Sequence, residues 1–342
     1  MDIADRAGVS EATVSRVLND KPVAAATRER VLTAIDVLGY ERPARLRRRP
    51  AGLVGLVVPE LTNPVFPLFA QVIETALVKH GYTPLLCTQT PGGLHEDDYV
   101  QMLLERGTAG IIFVSGIHAI TASDTDRYTR LVNQGVPVVL VNGFQADVDA
   151  PCLSQDDVVA VQLAVSHLYQ LGHRRIGLAL GPQRYTPASR RITAFQALAS
   201  KLRDLDALLE CSQYTIEGGA AAAHALMDRG ATGIVCGSDL MALGAIRAAR
   251  GRGLQVPRDL SVVGSDDGLL AQFADPPLTT VRQDVTGMSE AAVRSLMEEI
   301  AGTPSPRTEY LFPPELIVRA STSAPRAARA ASVADLPASA LT

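Results

Sequence analysis

Residues Ala4 to Asn19 read ADRAGVSEATVSRVLN, and their spacing decides the fold of the amino-terminal end. Ile3, Ala4 and Ala7 share one helical face and stop at Gly8. Ser10 is placed to cap a second helix, in which Val14, Val17 and Leu18 fall on one side. That apolar side turns Ala12, Arg16 and Asn19 outward and leaves Glu11 at the leading end. The small residues and glycine between the two helices allow a tight reversal, which is the layout of a helix-turn-helix. A third helix is predicted from the stripe Val31, Ala34, Ile35 and Leu38, closed by Gly39 as its C′ glycine.

Outward from this module the charge changes. The first fifty residues hold ten Lys/Arg against seven Asp/Glu, a balance of +3 in a chain whose net charge is −4, so the remainder carries −7. Glu41 to Pro50 alone holds Arg42, Arg45, Arg47, Arg48 and Arg49 against one glutamate. A basic stretch beside two prolines suits the vicinity of a phosphate backbone, and equally a solvated linker.

From Leu53 the pattern becomes short β-branched runs alternating with helical stretches, which predicts parallel sheets covered by helices on both faces. Expected strands are Leu53 to Val58, Thr83 to Cys87, Gly110 to Val114, Pro137 to Val141, Arg175 to Leu180, a short one near Leu208, Gly233 to Cys236 and Leu260 to Gly264. Val54-Gly55-Leu56-Val57 repeats as Ile176-Gly177-Leu178-Ala179, Gly110-Ile111-Ile112 as Gly233-Ile234-Val235, and Val138-Val139 as Ser261-Val262, at an offset of about 122 residues. This predicts an internal duplication: two α/β lobes whose strands end at a common cleft, where open parallel sheets take ligands. The Ala/Ser/Pro-rich end from Ala324 to Thr342 reads as a disordered tail.

Several classes are disfavoured. No apolar run reaches the roughly 18 residues of a membrane helix and the N-terminus lacks a signal-peptide layout, so no membrane partner and a cytoplasmic protein are expected. Cys87, Cys152, Cys211 and Cys236 are widely spaced and are expected to be small buried thiols rather than a zinc site or disulfide framework. No G-x-G-x-x-G after a strand, phosphate-binding loop, G-x-S-x-G or H-E-x-x-H occurs, the six histidines are scattered, and no paired acid and base can be placed. His173 reads as finishing a helix rather than as a base. An enzyme is therefore not expected, and no cofactor or metal is called for.

The run Ala7 to Asn19 resembles the signature A-G-V-S-x-x-T-V-S-R-V-L-N of the lactose-repressor (LacI) family of bacterial transcription regulators. The likeness continues through Thr27 to Leu32, Leu38-Gly39-Tyr40, Gly55 to Pro59, Thr62-Asn63-Pro64, Leu171 to Ile176, Ser238 to Gly244 and Pro277 to Gln283. The resemblance implies a small all-α helix-turn-helix head joined to a periplasmic-binding-protein-like α/β domain of two similar doubly wound lobes. The boundaries it suggests are a head at 1–42, a basic linker or short hinge at 43–52, and an effector-binding and dimerisation domain at 53–323. In that domain one lobe takes about 53–152 plus 284–313 and the other about 153–283 plus 314–323, leaving the tail at 324–342. The implied protein is a transcriptional regulator, expected to be a repressor, that binds a near-palindromic operator in double-stranded DNA as a homodimer and responds to a small-molecule effector such as a sugar or nucleoside. A solute-binding protein of the same architecture is the alternative.

Arg16 matches the family's DNA-reading arginine, whose planar fork suits guanine O6 and N7. Ala12 can meet a thymine methyl. Glu11 can accept from cytosine N4 or simply sit where the helix dipole favours it. Ser10, Thr13 and Ser15 are expected at phosphates, and Asn19 completes the outward face. Leu46 corresponds to the family's hinge leucine that wedges into the minor groove, with Arg45, Arg47 and Arg48 beside it. In the cleft, Arg191 matches the family's effector-holding arginine four positions before an aromatic, with Arg190 as the alternative. Asn142, Asp239 and Asp266 follow strand ends, and Asn63, Phe66 and Phe144 are candidates for the opposite wall. The sequence departs from the family in having Met1 alone before Asp2, where a few residues often including a capping Thr are usual, in Ala24 where a capping Ser is usual, and in a linker about three residues short.

Overall fold

The computed structural model describes residues 3–19, 21–40, 52–89, 93–121, 123–303 and 305–326. The linker residues Arg45, Leu46, Arg47 and Arg48 and the tail beyond 326 lie outside the described residues. The chain divides into two compact units between Gly52 and Leu53.

In the first unit, α1 (Ile3–Ala7), α2 (Glu11–Leu18) and α3 (Ala25–Val37) enclose a core of Ala4, Ala7, Val14, Val17, Val31, Ala34 and Ile35. Gly8 takes φ +63°, and Val9 N–H closes back on the Ala4 carbonyl at 3.1 Å, a reversal that favours glycine. Ser10 Oγ accepts from Thr13 N–H at 3.2 Å, the expected cap. Ala24 precedes α3 with no side-chain cap bond.

The second unit is built on two six-stranded sheets. The first holds β1 (Leu53–Val58), β2 (Thr83–Thr88), β3 (Gly110–Val114), β4 (Val138–Val141), β5 (Cys152–Gln155) and β11 (Glu309–Phe312), in the order β11-β5-β4-β3-β1-β2. The second holds β6 (Arg175–Leu180), β7 (Asp206–Cys211), β8 (Gly233–Cys236), β9 (Ser261–Asp266), β10 (Thr279–Arg282) and β12 (Glu315–Ile317), in the order β12-β10-β9-β8-β6-β7. All pairings are parallel except that of β10 with β12. The duplication is therefore one of topology. It reaches the register too: Gly55 sits opposite Ile111 in one sheet and Gly177 opposite Ile234 in the other. Each glycine lies under a leucine of a covering helix, Leu103 or Leu226, close enough that a Cβ would collide with it.

Helices α4 (Val65–Lys79), α5 (Glu96–Glu105), α6 (Asp126–Asn133) and α11 (Val285–Ile300) cover the first sheet, and α7 (Asp157–Gln170), α8 (Thr186–Lys201), α9 (Ile216–Asp228) and α10 (Asp239–Gly251) cover the second. The chain crosses between sheets three times, after β5, after β10 and after β11. Because β5 pairs with β4 and β11, the first crossing follows Gln155, slightly beyond the position near 152 read from the sequence.

Cys87, Cys152 and Cys236 are buried free thiols. Cys211 corrects the expectation for its type: it ends the edge strand β7, where the second sheet stops, and is exposed. His173 does finish α7, its N–H donating to the Leu168 carbonyl at 3.0 Å after Gly172 at φ +100°. Its buried ring also bonds Thr232 Oγ1 at 2.9 Å and the Ser323 carbonyl at 2.9 Å, tying the segment around Ser323 to the lobe.

Candidate functional site: a helix face and an interlobe cleft

On α2, burial of Val14 and Val17 leaves Glu11, Ala12, Ser15, Arg16 and Asn19 exposed, with Thr13 half-buried. Ser10 and Thr13 share a hydroxyl hydrogen bond of 2.9 Å. Asn19 Nδ2 donates to the Ser15 carbonyl at 2.8 Å, so without DNA this side chain finishes its own helix. Arg16 Nη2 reaches back to the Pro22 carbonyl at 2.9 Å, which aims the guanidinium along the turn and leaves most of its five N–H groups available.

The carboxyl ends of the two sheets concentrate strained backbone and buried polar groups. Ser115, Asn142 and Asp266 take φ of 47°, 60° and 108°, left-handed conformations that non-glycine residues adopt at a cost of about 1–3 kcal/mol. They stand at the ends of β3, β4 and β9.

Arg191, on α8, is buried. Its Nε donates to Asp157 Oδ1 at 2.8 Å, Nη1 to the Gly237 carbonyl at 3.2 Å and to Ser265 Oγ at 3.3 Å, and Nη2 to Gln155 Oε1 at 3.2 Å. Burial works against its charge, but Asp157 together with Tyr214 and Asp266 outweighs that and holds the guanidinium above its ordinary range. Gln155 is left with a buried Nε2 that has no partner. The alternative residue Arg190 is engaged elsewhere, in a forked ion pair with Glu309 at 2.6 and 2.9 Å.

Asp239 opens α10, but the cap is its neighbour: Ser238 Oγ accepts from Met241 N–H. The Asp239 carboxylate instead accepts from Gly268 N–H at 2.7 Å and Thr280 Oγ1 at 2.6 Å. Burial pushes it up to about 6. Asp266 is raised well above the carboxylate range by burial and by the nearby Asp239 charge, with Arg191 pulling the other way. The cleft thus sets two carboxyls close together, each raised by burial, with the Asp239 charge raising Asp266 further.

Asn63, Asp239 and Asp266 converge on one small cavity, together with Val65, Leu243 and Leu270. Asn142 stands at the hinge, its Oδ1 accepting from Gln283 Nε2 at 3.2 Å. Phe66 and Phe144 pack against the core of the first lobe instead.

Sequence reasoning missed Tyr214. It follows β7, and its ring lies over Gly181 and Gly237, so a Cβ at Gly181 would fall inside it. Burial pushes its phenol up to about 12, with Arg191 opposing. The clue was a tyrosine just before Thr215, which caps α9, but with β7 placed only near Leu208 its carboxyl end was not located. Among the described residues no cluster of metal-binding side chains occurs, and no helix is long and apolar enough to cross a membrane.

Residues 1–43 match the description "Bacterial regulatory proteins, lacI family", and residues 165–322 match "Periplasmic binding protein-like domain". The chain is 61% identical over 330 residues to the HTH-type transcriptional regulator reg1 of Streptomyces lividans, covering 94% of this chain and 96% of that one. The chain belongs to the LacI family. A second relative, the regulator MalR of Streptomyces coelicolor, is 61% identical over 329 residues, with 94% and 96% covered. The repressor CytR of Escherichia coli K12 is 31% identical over 334 residues, with 94% and 96% covered. Among solved LacI-type structures, a regulator CelR–cellobiose complex superimposes with TM-score 0.70 at 29% identity, covering 93% of this chain and 98% of that one. A lac repressor dimer bound to operator and the anti-inducer ONPF gives 0.70 at 26%, covering 94% and 98%. This LacI-family chain is a transcriptional regulator with a DNA-binding head and a periplasmic-binding-protein-like domain, and not an enzyme; the match over the head sets it apart from solute-binding proteins of the same architecture.

Proposed function

We propose that the protein is a repressor that binds a near-palindromic operator as a homodimer and is controlled by an uncharged polyhydroxylated effector, a sugar or nucleoside, held between its lobes. The division into a head at 1–42, a linker at 43–52 and an effector domain from 53 belongs to the same proposal. In it Ser10, Glu11, Ala12, Thr13, Ser15, Arg16 and Asn19 meet DNA, the linker residues Arg45, Leu46, Arg47 and Arg48 add to that contact, and Asn63, Asn142, Arg191, Asp239, Asp266 and Tyr214 face the effector. Phe66, packed in the core, supports the wall from behind.

One observation carries the effector class. The cleft's guanidinium is already ion-paired with Asp157 at 2.8 Å, and its other ionisable groups are carboxyls and the Tyr214 phenol, so an anionic ligand meets no free positive charge. What remains is a set of single donors and acceptors: the unpartnered Gln155 Nε2 and the two carboxyls of Asp239 and Asp266, both raised by burial. Hydroxyl groups, which both donate and accept, match that set. The CelR structure, solved with cellobiose, supports a saccharide. For the dimer, the support is an exposed apolar cluster of Leu269, Leu270 and Phe273, the last 74% exposed, on the 3₁₀ turn after β9.

The test is a thermal-shift screen of neutral sugars, nucleosides, sugar phosphates and sugar acids on the full chain, joined to selection of binding sites from random duplex DNA. A neutral sugar or nucleoside is expected to raise Tm, Arg191→Ala and Asp239→Ala are each expected to weaken that ligand at least tenfold, and the selected DNA is expected to be two-fold symmetric. Stabilisation by acids or phosphates alone, or undiminished ligand affinity in both variants, would overturn the effector assignment.

A further inference from the structure

The two lobes touch through backbone at the carboxyl ends of their sheets. Ile120 and Tyr185 form an isolated antiparallel bridge. Beside it, Thr121 N–H donates to the Arg184 carbonyl at 2.8 Å, and Thr121 Oγ1 donates to the same oxygen at 3.1 Å. Thr121 lies on the connection after β3, Arg184 on the connection after β6, and neither connection carries a crossover between the sheets. The Asn142–Gln283 bond and the Arg190–Glu309 pair lie next to the crossovers, where a rotation of the lobes moves atoms least. The Thr121 contact is a backbone contact that such a rotation breaks.

The segment leading to Thr121 rests on a buried polar set that contributes nothing to the cavity or to Arg191. Ser115 turns the chain at φ +47° into the 3₁₀ turn Ile117–Ala119. Ile117 N–H donates to Glu96 Oε2 at 3.0 Å, and His118 N–H donates to the Tyr128 hydroxyl at 2.9 Å. That hydroxyl donates in turn to Glu96 Oε1, and His118 Nε2 bonds the Val141 carbonyl at 3.1 Å. Gln145 Nε2 donates to the carbonyls of His118 at 2.6 Å and Ile120 at 3.3 Å. Glu96, His118 and Tyr128 are all 0% exposed. Burial raises the Glu96 carboxyl and lowers the His118 imidazole to about 4, so the set acts through directional hydrogen bonds. Apolar residues of equal volume would fill the same space at lower desolvation cost. They would not fix the path of the chain from 115 to 121.

We infer that Glu96, His118 and Tyr128 are positioning residues for an interlobe clasp: they hold the 115–121 segment so that Thr121 meets the Arg184 carbonyl, and this clasp sets the fraction of molecules whose lobes are closed. The proposal concerns the equilibrium before any effector binds and does not depend on the effector's identity.

The experiment measures lobe separation by electron–electron double resonance on the full chain, with nitroxides on Glu105→Cys in one lobe and Glu217→Cys in the other. Cys211→Ser removes the exposed native thiol, and the other three cysteines are buried. Labelled protein is diluted into excess unlabelled protein so that the distance read lies within one chain of the homodimer, and the parent is expected to show one short distance. Thr121→Pro deletes the donated N–H at an exposed position, and Tyr128→Phe deletes the hydroxyl while keeping the ring. Each is expected to move at least half of the population to a longer distance, and the double variant to move no more than the larger single effect. Tyr128→Phe protein with an intact circular dichroism spectrum and an unchanged distance would overturn the bracing role. Unchanged distances in Thr121→Pro would overturn the clasp. Should Tyr128→Phe fail to fold, Glu96→Gln, which keeps the shape and weakens the acceptor, decides the bracing role by the same reading.

Discussion

At the scale of single residues, reading DNA and holding an effector ask opposite things of an arginine. Arg16 is exposed and spends one bond on the Pro22 carbonyl, so its fork can be redirected at small cost. Arg16→Ala is expected to remove discrimination between the selected operator and a half-site with the contacted guanine changed, by about 1–3 kcal/mol, while low-salt binding to random duplex survives. Equal losses on both DNAs in a titration would assign Arg16 to phosphate. Arg191 is fixed from four sides and suited to hold a ligand in one orientation. Asp239 makes a pH prediction. Its folded value of about 6 lies above the roughly 3.9 of an unfolded carboxyl, so the folded chain binds the proton more tightly. Its contribution is therefore fully present below about pH 4 and lost as pH rises through about 6. Asp239→Asn, which keeps the shape without the charge and also relieves Asp266 of its neighbour's charge, is expected to gain stability over the parent as pH rises from 4 to 7, read by denaturant titration at the two pH values. His118, lowered to about 4 by burial, runs the other way in both proteins and cancels in the difference.

At the scale of elements, what the sequence disclosed follows from how each element is buried. Strands β1, β3, β4, β6 and β8 are covered on both faces and read as unbroken apolar runs. Strand β5 mixes Ser154 and Gln155 with apolar residues, and β11 and β12 are half-exposed, so pairing partners far along the chain make them strands and no local pattern announces them. The same reasoning explains the cleft. Asn63, Asp239 and Asp266 were legible because they follow recognisable elements, whereas Tyr214 follows an edge strand placed only roughly, and the Glu96, His118 and Tyr128 set joins residues up to 32 positions apart. The linker carries a prediction from sequence alone. With Pro43 and Pro50 bounding Ala44 to Arg49, fewer than two helical turns are available to lift a leucine into the groove, while the arginines need no helix to grip phosphates. Changing Arg47, Arg48 and Arg49 together to Gln is expected to weaken all duplexes and flatten the salt dependence, with Leu46→Ala costing little. The reverse ranking in a salt titration would favour the wedge.

At the scale of the molecule, the repeat at about 122 residues was visible because β1 and β6 each keep a glycine at the same register beneath a leucine, a constraint that sequence records directly. Oligomeric state leaves no such local record, since a surface that closes on its own copy is built from side chains that a monomer would leave in water. Leu269, Leu270 and Phe273 form the exposed apolar patch proposed for that role, next to Asp267, which is tied to Arg282 and Arg319. A rigid apolar patch at the end of β9 lies one short turn from Asp266 in the cleft, so a partner seated there would feel closure of the lobes through a few residues. Light scattering is expected to give twice the chain mass for the intact protein and for a chain lacking 327–342, because that tail has no leucine heptads to make a higher assembly. Phe273→Asp is expected to bring the mass down toward that of one chain and to weaken operator binding far more than binding to a single half-site, since losing the partner removes the second head while leaving the first intact. A Phe273→Asp protein that keeps the dimer mass would place the interface elsewhere on the effector domain.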